Sequence, residues 1–255
     1  MKYLLRLLPV LLPAVCAAGS AATPSDPVTF QDISRDGHAY SVVDVDTHLA
    51  KLRLYWQKSD GKRFETIANL KQWLEDYGQH VLFATNAGMF RPNYAPCGLH
   101  IEEGRQFANL NRKNGLGNFH LKPNGVFYLT ADAVHIVTSD QYREDPKNVL
   151  LATQSGPMLV VDGNLHPVFT PDSLHRNIRS GVGVKSPNEV CFVLSRDEVT
   201  FYEIATLFRD TLACKNALYL DGVLSTFYLP NTDPPPPIPY AGILAVTALE
   251  AHSTK

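Results

Sequence analysis

The sequence predicts an α+β fold: a large, twisted, mainly antiparallel sheet system with a few packed helices, in a single domain. Three observations predict it. Short apolar runs and period-two alternations far outnumber helical stretches. The segments between them carry hairpin-type turns more often than strand–helix–strand crossovers. No internal repeat and no long linker divides the chain.

The elements follow in order. His38 to Asp46 alternates, with Tyr40, Val42 and Val45 among polar residues, and Leu52, Leu54 and Trp56 continue the alternation on a second strand. Phe64 to Tyr77 has helical spacing: Ile67, Leu70, Trp73 and Leu74 share a face, and Gly78 stops it. Val81 to Thr85 reads as a buried strand. Gly98 to Glu102 is another, ending in charge beside Glu103 and Gly104. Phe119 to Leu129 predicts a hairpin around Pro123-Asn124-Gly125, because Asn-Gly between apolar runs is a strong hairpin signal. Val134 to Val137, Leu150 to Ala152 and Met158 to Val161 are further strands. Val182 to Val184 and Val190 to Leu194 form a pair turning near Ser186-Pro187-Asn188, and Tyr202 to Cys214 is the second helix. Ala217 to Leu220 is a buried strand halted by Asp221-Gly222. Asp233 to Pro239 is too rich in proline for a central strand, and Ile243 to Leu249 closes the chain as a strand.

The first 22 residues read as a secretory signal: Lys2 and Arg6, an apolar run from Leu7 to Val15, then small residues to Ala22. The run is too short, and too interrupted by Pro9 and Pro13, for a membrane span. Val15 stands where a lipidation signal at Cys16 needs a small residue. A mature domain of residues 23–255 is expected, periplasmic or secreted, with no integral membrane span. Of 23 basic and 25 acidic residues only Lys2 and Arg6 fall in the signal, so the mature chain carries four more acids than bases. With no basic stripe, nucleic acid is a poor partner. Cys97, Cys191 and Cys214 do not make a disulfide framework. Either they are buried thiols, or one bridge forms in an oxidising compartment, and Cys191 with Cys214 is the pair to test. No cysteine–histidine metal spacing, P-loop, HExxH helix, Gly-x-Ser-x-Gly elbow or dinucleotide fingerprint occurs, so neither metal nor cofactor is expected. Asp44, Asp46 and His48 share a strand face by period two, better read as solvated polar groups than as a cation site.

Four glycine-bearing polar clusters each follow or flank an apolar strand: Thr85-Asn86-Ala87-Gly88-Met89-Phe90, Gln154-Ser155-Gly156-Pro157, Arg179-Ser180-Gly181-Val182-Gly183, and the segment of Asp221-Gly222 with Ser225. One such cluster is an ordinary turn. Four of them suggest a shared pocket, where small residues let backbone approach a ligand beside one polar or charged side chain.

Taken in order, these clusters resemble the motifs of the phosphodiester glycosidase family, whose known member removes N-acetylglucosamine from phosphodiester-linked mannose. Asn86-Ala87-Gly88-Met89-Phe90 is similar to its Asn-Gly-Gly-Phe-Phe motif. Ser155-Gly156-Pro157 with Asp162-Gly163 resembles its Gly-Gly-Pro strand. Arg179 to Val184 resembles Arg-Thr-Ala-Ile-Gly. Asn216 to Gly222 with Ser225 resembles Asn-Leu-Asp-Gly-Gly-Gly-Ser, with Val223 and Leu224 in place of two glycines. The run Gly117 to Phe127 looks closest to a bacterial branch.

The resemblance implies an exported hydrolase that cleaves a sugar–phosphate bond at the anomeric carbon of an envelope or extracellular glycan. Such chemistry asks for a cation on the phosphodiester, and Arg179 offers the guanidinium fork. It asks for a carboxylate to stabilise, attack or hydrate the oxocarbenium-like centre. Asp221 is the first candidate and Glu102 the second. Asn86, Gly88, Ser155, Gly156 and Ser225 would contact sugar hydroxyls or phosphate, and His175-Arg176 would add phosphate contacts. A non-catalytic glycan-binding protein on the same fold is the alternative, suggested by Val223 and Leu224.

Overall fold

The computed structural model describes residues 26–222 and 224–249. The expected signal, Cys16 and Val223 lie outside the described residues. Along the chain run β1 (Val28–Arg35), β2 (His38–Asp46), β3 (Ala50–Tyr55), helix α1 (Ile67–Asp76), β4 (Val81–Asn86), β5 (His100–Glu102) and β6 (Arg105–Ala108). Then come β7 (Gly125–Thr130), β8 (Val134–Thr138), β9 (Val149–Ser155), β10 (Met158–Val161) and β11 (Asn164–Leu165). The chain ends with β12 (Ser180–Ser186), β13 (Glu189–Ser195), helix α2 (Phe201–Thr206), β14 (Asn216–Asp221), β15 (Phe227–Tyr228) and β16 (Ile243–Ala248).

These strands form three sheets, ordered β1-β2-β13-β12-β14-β10-β11, β15-β4-β16-β3 and β6-β5-β9-β7-β8. Among the described residues every strand pairing is antiparallel. The fold is therefore α+β, largely sheet, and a single domain.

The sheets share one core, and period two explains how. In β14, Leu218 and Leu220 enter the common core with Phe83, Phe127 and Phe192, while Ala217 and Tyr219 face the opposite side with Phe208. In β13, Val190 and Phe192 enter the core and Cys191 and Val193 oppose them. Both faces of this sheet are thus buried, which is why its strands read as continuous apolar runs. Each of the buried Val, Leu and Phe side chains contributes about 1.5–3 kcal/mol by leaving water.

The helices cover outer faces. Thr66 caps α1 by accepting from Asn69 N at 3.1 Å, and Ile67, Leu70 and Leu74 pack on β4 and β16. Thr200 and Glu203 form a capping box on α2. That helix has only six residues, and a π-helical turn, Leu207–Thr211, replaces the rest of the helix expected to reach Cys214.

The hairpin expected from Phe119 to Leu129 does not form. Asn118–His120 is a 3-10 turn, and β7 pairs instead with β8 and β9. The cause is Asn124, which is buried. Its Nδ2 donates to Phe119 O at 2.9 Å, its Oδ1 accepts from Ser139 Oγ at 2.5 Å, and its carbonyl accepts from Ser139 N. The Asn-Gly pair therefore opens β7 rather than turning a hairpin. The alternating strand β1 goes unpredicted because it is an exposed edge.

Candidate functional site

Four strand ends meet at one edge of the sheet system. Asn86 ends β4, Ser155 ends β9, Ser180 begins β12 and Asp221 ends β14, where Ser180 and Asp221 are register partners. A bulge between Ser180 and Gly181 turns the end of β14.

Hydrogen bonds join these ends. Asn86 Nδ2 donates to Ser180 Oγ at 3.3 Å, and Asn86 Oδ1 accepts from Thr226 N at 3.3 Å. Ser180 Oγ donates to the Asp221 carbonyl at 3.2 Å. Ser225 Oγ lies 2.8 Å from that carbonyl and 2.9 Å from Ser180 Oγ. Ser155 Oγ donates to Leu220 O at 3.0 Å. Asn86, Ser155, Ser180 and Ser225 thus fix the backbone that presents Asp221. The half-buried Asp221 carboxylate accepts from Gly222 N at 2.6 Å.

Two glycines make the convergence possible. A Cβ at Gly88 would collide with the Gln154 carbonyl, and its N–H donates to Thr153 Oγ1 at 3.1 Å. A Cβ at Gly156 would stand 2.7 Å from Asn124 Cβ and 2.8 Å from Phe119 O. These glycines serve close strand packing.

Arg179 is 2 % exposed. Its Nε donates to Val199 O at 2.8 Å and its Nη2 to His175 O at 2.9 Å, while its backbone N donates to Ser195 Oγ. The guanidinium carbon sits 3.7 Å from the centre of the Phe201 ring. Among the described residues no carboxylate lies within ion-pair distance of it. Burial lowers its pKa, opposed by Tyr219 and then Glu203. Arg179 forms part of the wall of a cavity of about 420 Å³, with Asn118, Leu121, Phe169 and Phe201. His175 lines the same cavity, but Arg176 is committed to Glu203, at 3.0 and 2.7 Å.

Four residues near the site are not among the site residues expected from sequence, although Tyr219 and Asn118 fall inside the motif runs. Tyr219 feels both Arg179 and Asp221, and its hydroxyl occupies the space a Cβ at Gly222 would need. Burial pushes Tyr219 up to about 12, against the Arg179 charge. Burial likewise pushes Tyr240 up to about 12 and raises the Cys97 thiol, and the Asp221 charge adds to both. Both phenols are therefore neutral at pH 7. Asn118 lines the Arg179 cavity. For Tyr219 and Asn118 the available signal is their place inside the motif runs; Cys97 and Tyr240 depend on tertiary placement.

Glu102 is not brought to this cluster. It ends β5 opposite Leu151, about 13 Å of strand before Ser155, and its carboxylate Oε1 lies 2.7 Å from His100 Nε2. It lines a separate cavity with Arg53, Tyr55 and Phe107, and its strand end is the Glu103-Gly104 hairpin turn. Asp44 is held by Lys185 at 2.6 Å, and among the described residues no group of three or more side chains is disposed to hold a metal. No helix there is long and apolar enough to cross a membrane.

The ordered motifs now have a shared location, and comparison with known proteins gives it a family. A profile for phosphodiester glycosidases matches residues 79–234, which hold all four clusters. The chain belongs to the phosphodiester glycosidase family. The family match spans β4 to the proline-rich loop and leaves β1 to β3 and β16 outside it. The "Uncharacterized protein YigE" of Escherichia coli K12 is 36 % identical over 220 residues, covering 86 % of this chain and 82 % of that protein. The fold is similar to the zebrafish N-acetylglucosamine-1-phosphodiester alpha-N-acetylglucosaminidase catalytic domain auto-inhibited by its pro-peptide, with a TM-score of 0.60 and 14 % identity over 88 % of this chain and 84 % of that one. A hypothetical protein from Synechocystis is similar at a TM-score of 0.56 and 14 % identity, over 88 % of this chain and 62 % of that one. At such identities the solved structures speak to the fold alone.

Proposed function

We propose that the chain is an exported hydrolase that cleaves a glycosyl-phosphodiester linkage in envelope or extracellular glycans, releasing sugar and a phosphomonoester. The observation that carries this reading is the hydrogen-bonded meeting of Asn86, Ser155, Ser180 and Ser225 around Asp221, next to a buried Arg179 that forms no ion pair with a carboxylate among the described residues. A buried guanidinium in the wall of a cavity favours an anionic guest.

In this reading the phosphodiester lies in the cavity against Arg179 and its sugar extends toward Asp221, with Tyr219 near enough to both charges to feel them. Water attacks the anomeric carbon, the C1–O bond to phosphorus breaks, and its electron pair leaves with the phosphomonoester. One water proton passes to the Asp221 carboxylate and then to solvent or phosphate. Phosphate is a good leaving group, so one carboxylate suffices where ordinary glycosidases use two. Asn86, Ser155 and Ser225 act by positioning, and no role is required of Glu102.

The test is incubation of the purified protein with sugar-1-phosphodiesters, followed by phosphorus NMR. The reading predicts conversion of diester to monoester with release of reducing sugar. A non-catalytic glycan-binding protein is the second reading. It draws on Leu224, which stands where the family motif has glycine and packs against the core cluster that holds Ile67, Leu70 and Tyr240. Saturable glycan binding with no product would favour it.

A further inference from the structure

We propose that Tyr219 is a positioning residue that ties the Arg179 cavity to the Asp221 turn, so that an anion bound in the cavity sets the placement of the acid. This rests on the phosphodiester reading above and adds the link between its two charged groups.

The strand β14 puts Tyr219 between them. The register between β12 and β14 shifts where Ser180 and Gly181 face Asp221 and Tyr219, so Leu220 is an extra residue and the strand bends there. The Tyr219 ring lies edge-to-face with Phe201, with centres 4.8 Å apart and planes at 86°. The Arg179 guanidinium carbon stands 3.7 Å from the centre of the Phe201 ring and 5.7 Å from that of Tyr219. Tyr219 is 2 % exposed and its backbone N donates to Pro157 O at 3.1 Å, so the ring has little room to swing.

The hydroxyl meets both ends of the link. Arg179 and Asn118 lie close enough to it to oppose the effect of burial, and both line the cavity. At the other end it occupies the place that a Cβ at Gly222 would need. The Gly222 N–H in turn donates to the Asp221 carboxylate at 2.6 Å. Cys97 and Tyr240 also feel the Asp221 charge, but neither lines the cavity. A guanidinium has donors and no acceptor, so toward Arg179 the phenol accepts. An anion in the cavity competes with the phenol for those donors. The hydroxyl that yields them is repositioned against Gly222, and Gly222 holds the acid.

The experiment follows the Gly222 amide of the isotope-labelled full chain by NMR while dimethyl phosphate is added. Wild type is compared with Tyr219→Phe, which removes the hydroxyl and keeps the ring. In wild type the Gly222 signal should move as the cavity fills. Tyr219→Phe should still bind dimethyl phosphate by calorimetry, and the movement should be lost. On a sugar-1-phosphodiester the same variant should lose about 10-fold or more in kcat with KM little changed, because the acid is misplaced rather than the phosphate released. Gly222→Ala supplies a second measurement. Its methyl needs the place of the hydroxyl, so it should lower Tm, and adding Tyr219→Phe should restore part of the loss. A Gly222 signal that moves as far in Tyr219→Phe, one that stays still in wild type while the cavity fills, or a double variant no more stable than Gly222→Ala would overturn the proposal. If wild type takes no dimethyl phosphate, the phosphodiester reading fails and this proposal with it. Coupling in a protein that turns over no sugar-1-phosphodiester would sustain the tie and remove only the reaction.

Discussion

Asn86 shows what single residues do here. Its amide joins β4, β12 and the segment entering β15 at 2 % exposure. Replacement by alanine orphans the Thr226 N–H and removes the tie to Ser180, so Asn86→Ala should lose about 1–3 kcal/mol of stability. A lower urea midpoint with unchanged slope checks this; an unchanged midpoint would mean the tie is idle. At this scale a polar residue at the end of an apolar strand singles out Asn86, Ser155 and Asp221, which lie at one edge of the sheet system, with Arg179 just before β12. The sequence was not legible for Glu102. A charge at a strand end says that the strand stops, and not at which edge of the sheet system it stops. Nor could spacing foretell Tyr240, which follows the proline-rich loop yet feels the Asp221 charge.

Among the elements, α2 shows how a short helix is held beside the cavity. Thr200 Oγ1 accepts from Glu203 N at 3.1 Å, and Glu203 returns a bond to Thr200 N at 2.8 Å. Thr200→Ala should cost about 1 kcal/mol, read as a lower urea midpoint. Burial raises the pKa of Glu203, but the Thr200 N–H and the Arg176 guanidinium outweigh it and hold the carboxyl low. A depressed folded value gives stability that is full above the unfolded carboxylate range, about 4.3, and is lost as pH falls through the folded value. Glu203→Gln should therefore flatten the acid limb of the stability profile below that range. Strand placement was largely readable because buried strands and turn residues leave strong patterns. The expected hairpin at Asn124-Gly125 failed because a buried side chain took the bonds a turn would have used, and the second helix was shortened by its π-helical turn.

Over the whole molecule, antiparallel pairing brings chain-distant positions together, and the thiols give a second instance. Cys191 on β13 and Cys214, just before β14, lie on either side of β12 in the sheet order. Their sulfurs are 3.3 Å apart, both buried, and the Cys191 thiol is pushed well up by burial and then by Cys214. A Cβ at Gly183 would stand 2.6 Å from the Cys214 sulfur, so that glycine leaves the gap in which they meet. A small-molecule disulfide oxidant should convert the pair to a disulfide and itself be reduced to two thiols. The cross-linked protein should be more stable by about 3 kcal/mol, read as a higher Tm that falls back on reduction. Free thiols at both positions after oxidation would refute this.

The fold, the family and the meeting of the four clusters all bear on Asp221. The most direct measurement is turnover of a sugar-1-phosphodiester by wild type and Asp221→Asn, with circular dichroism and Tm matched. The account predicts a fall of at least ~100-fold for the folded variant; equal turnover by the two proteins would contradict it.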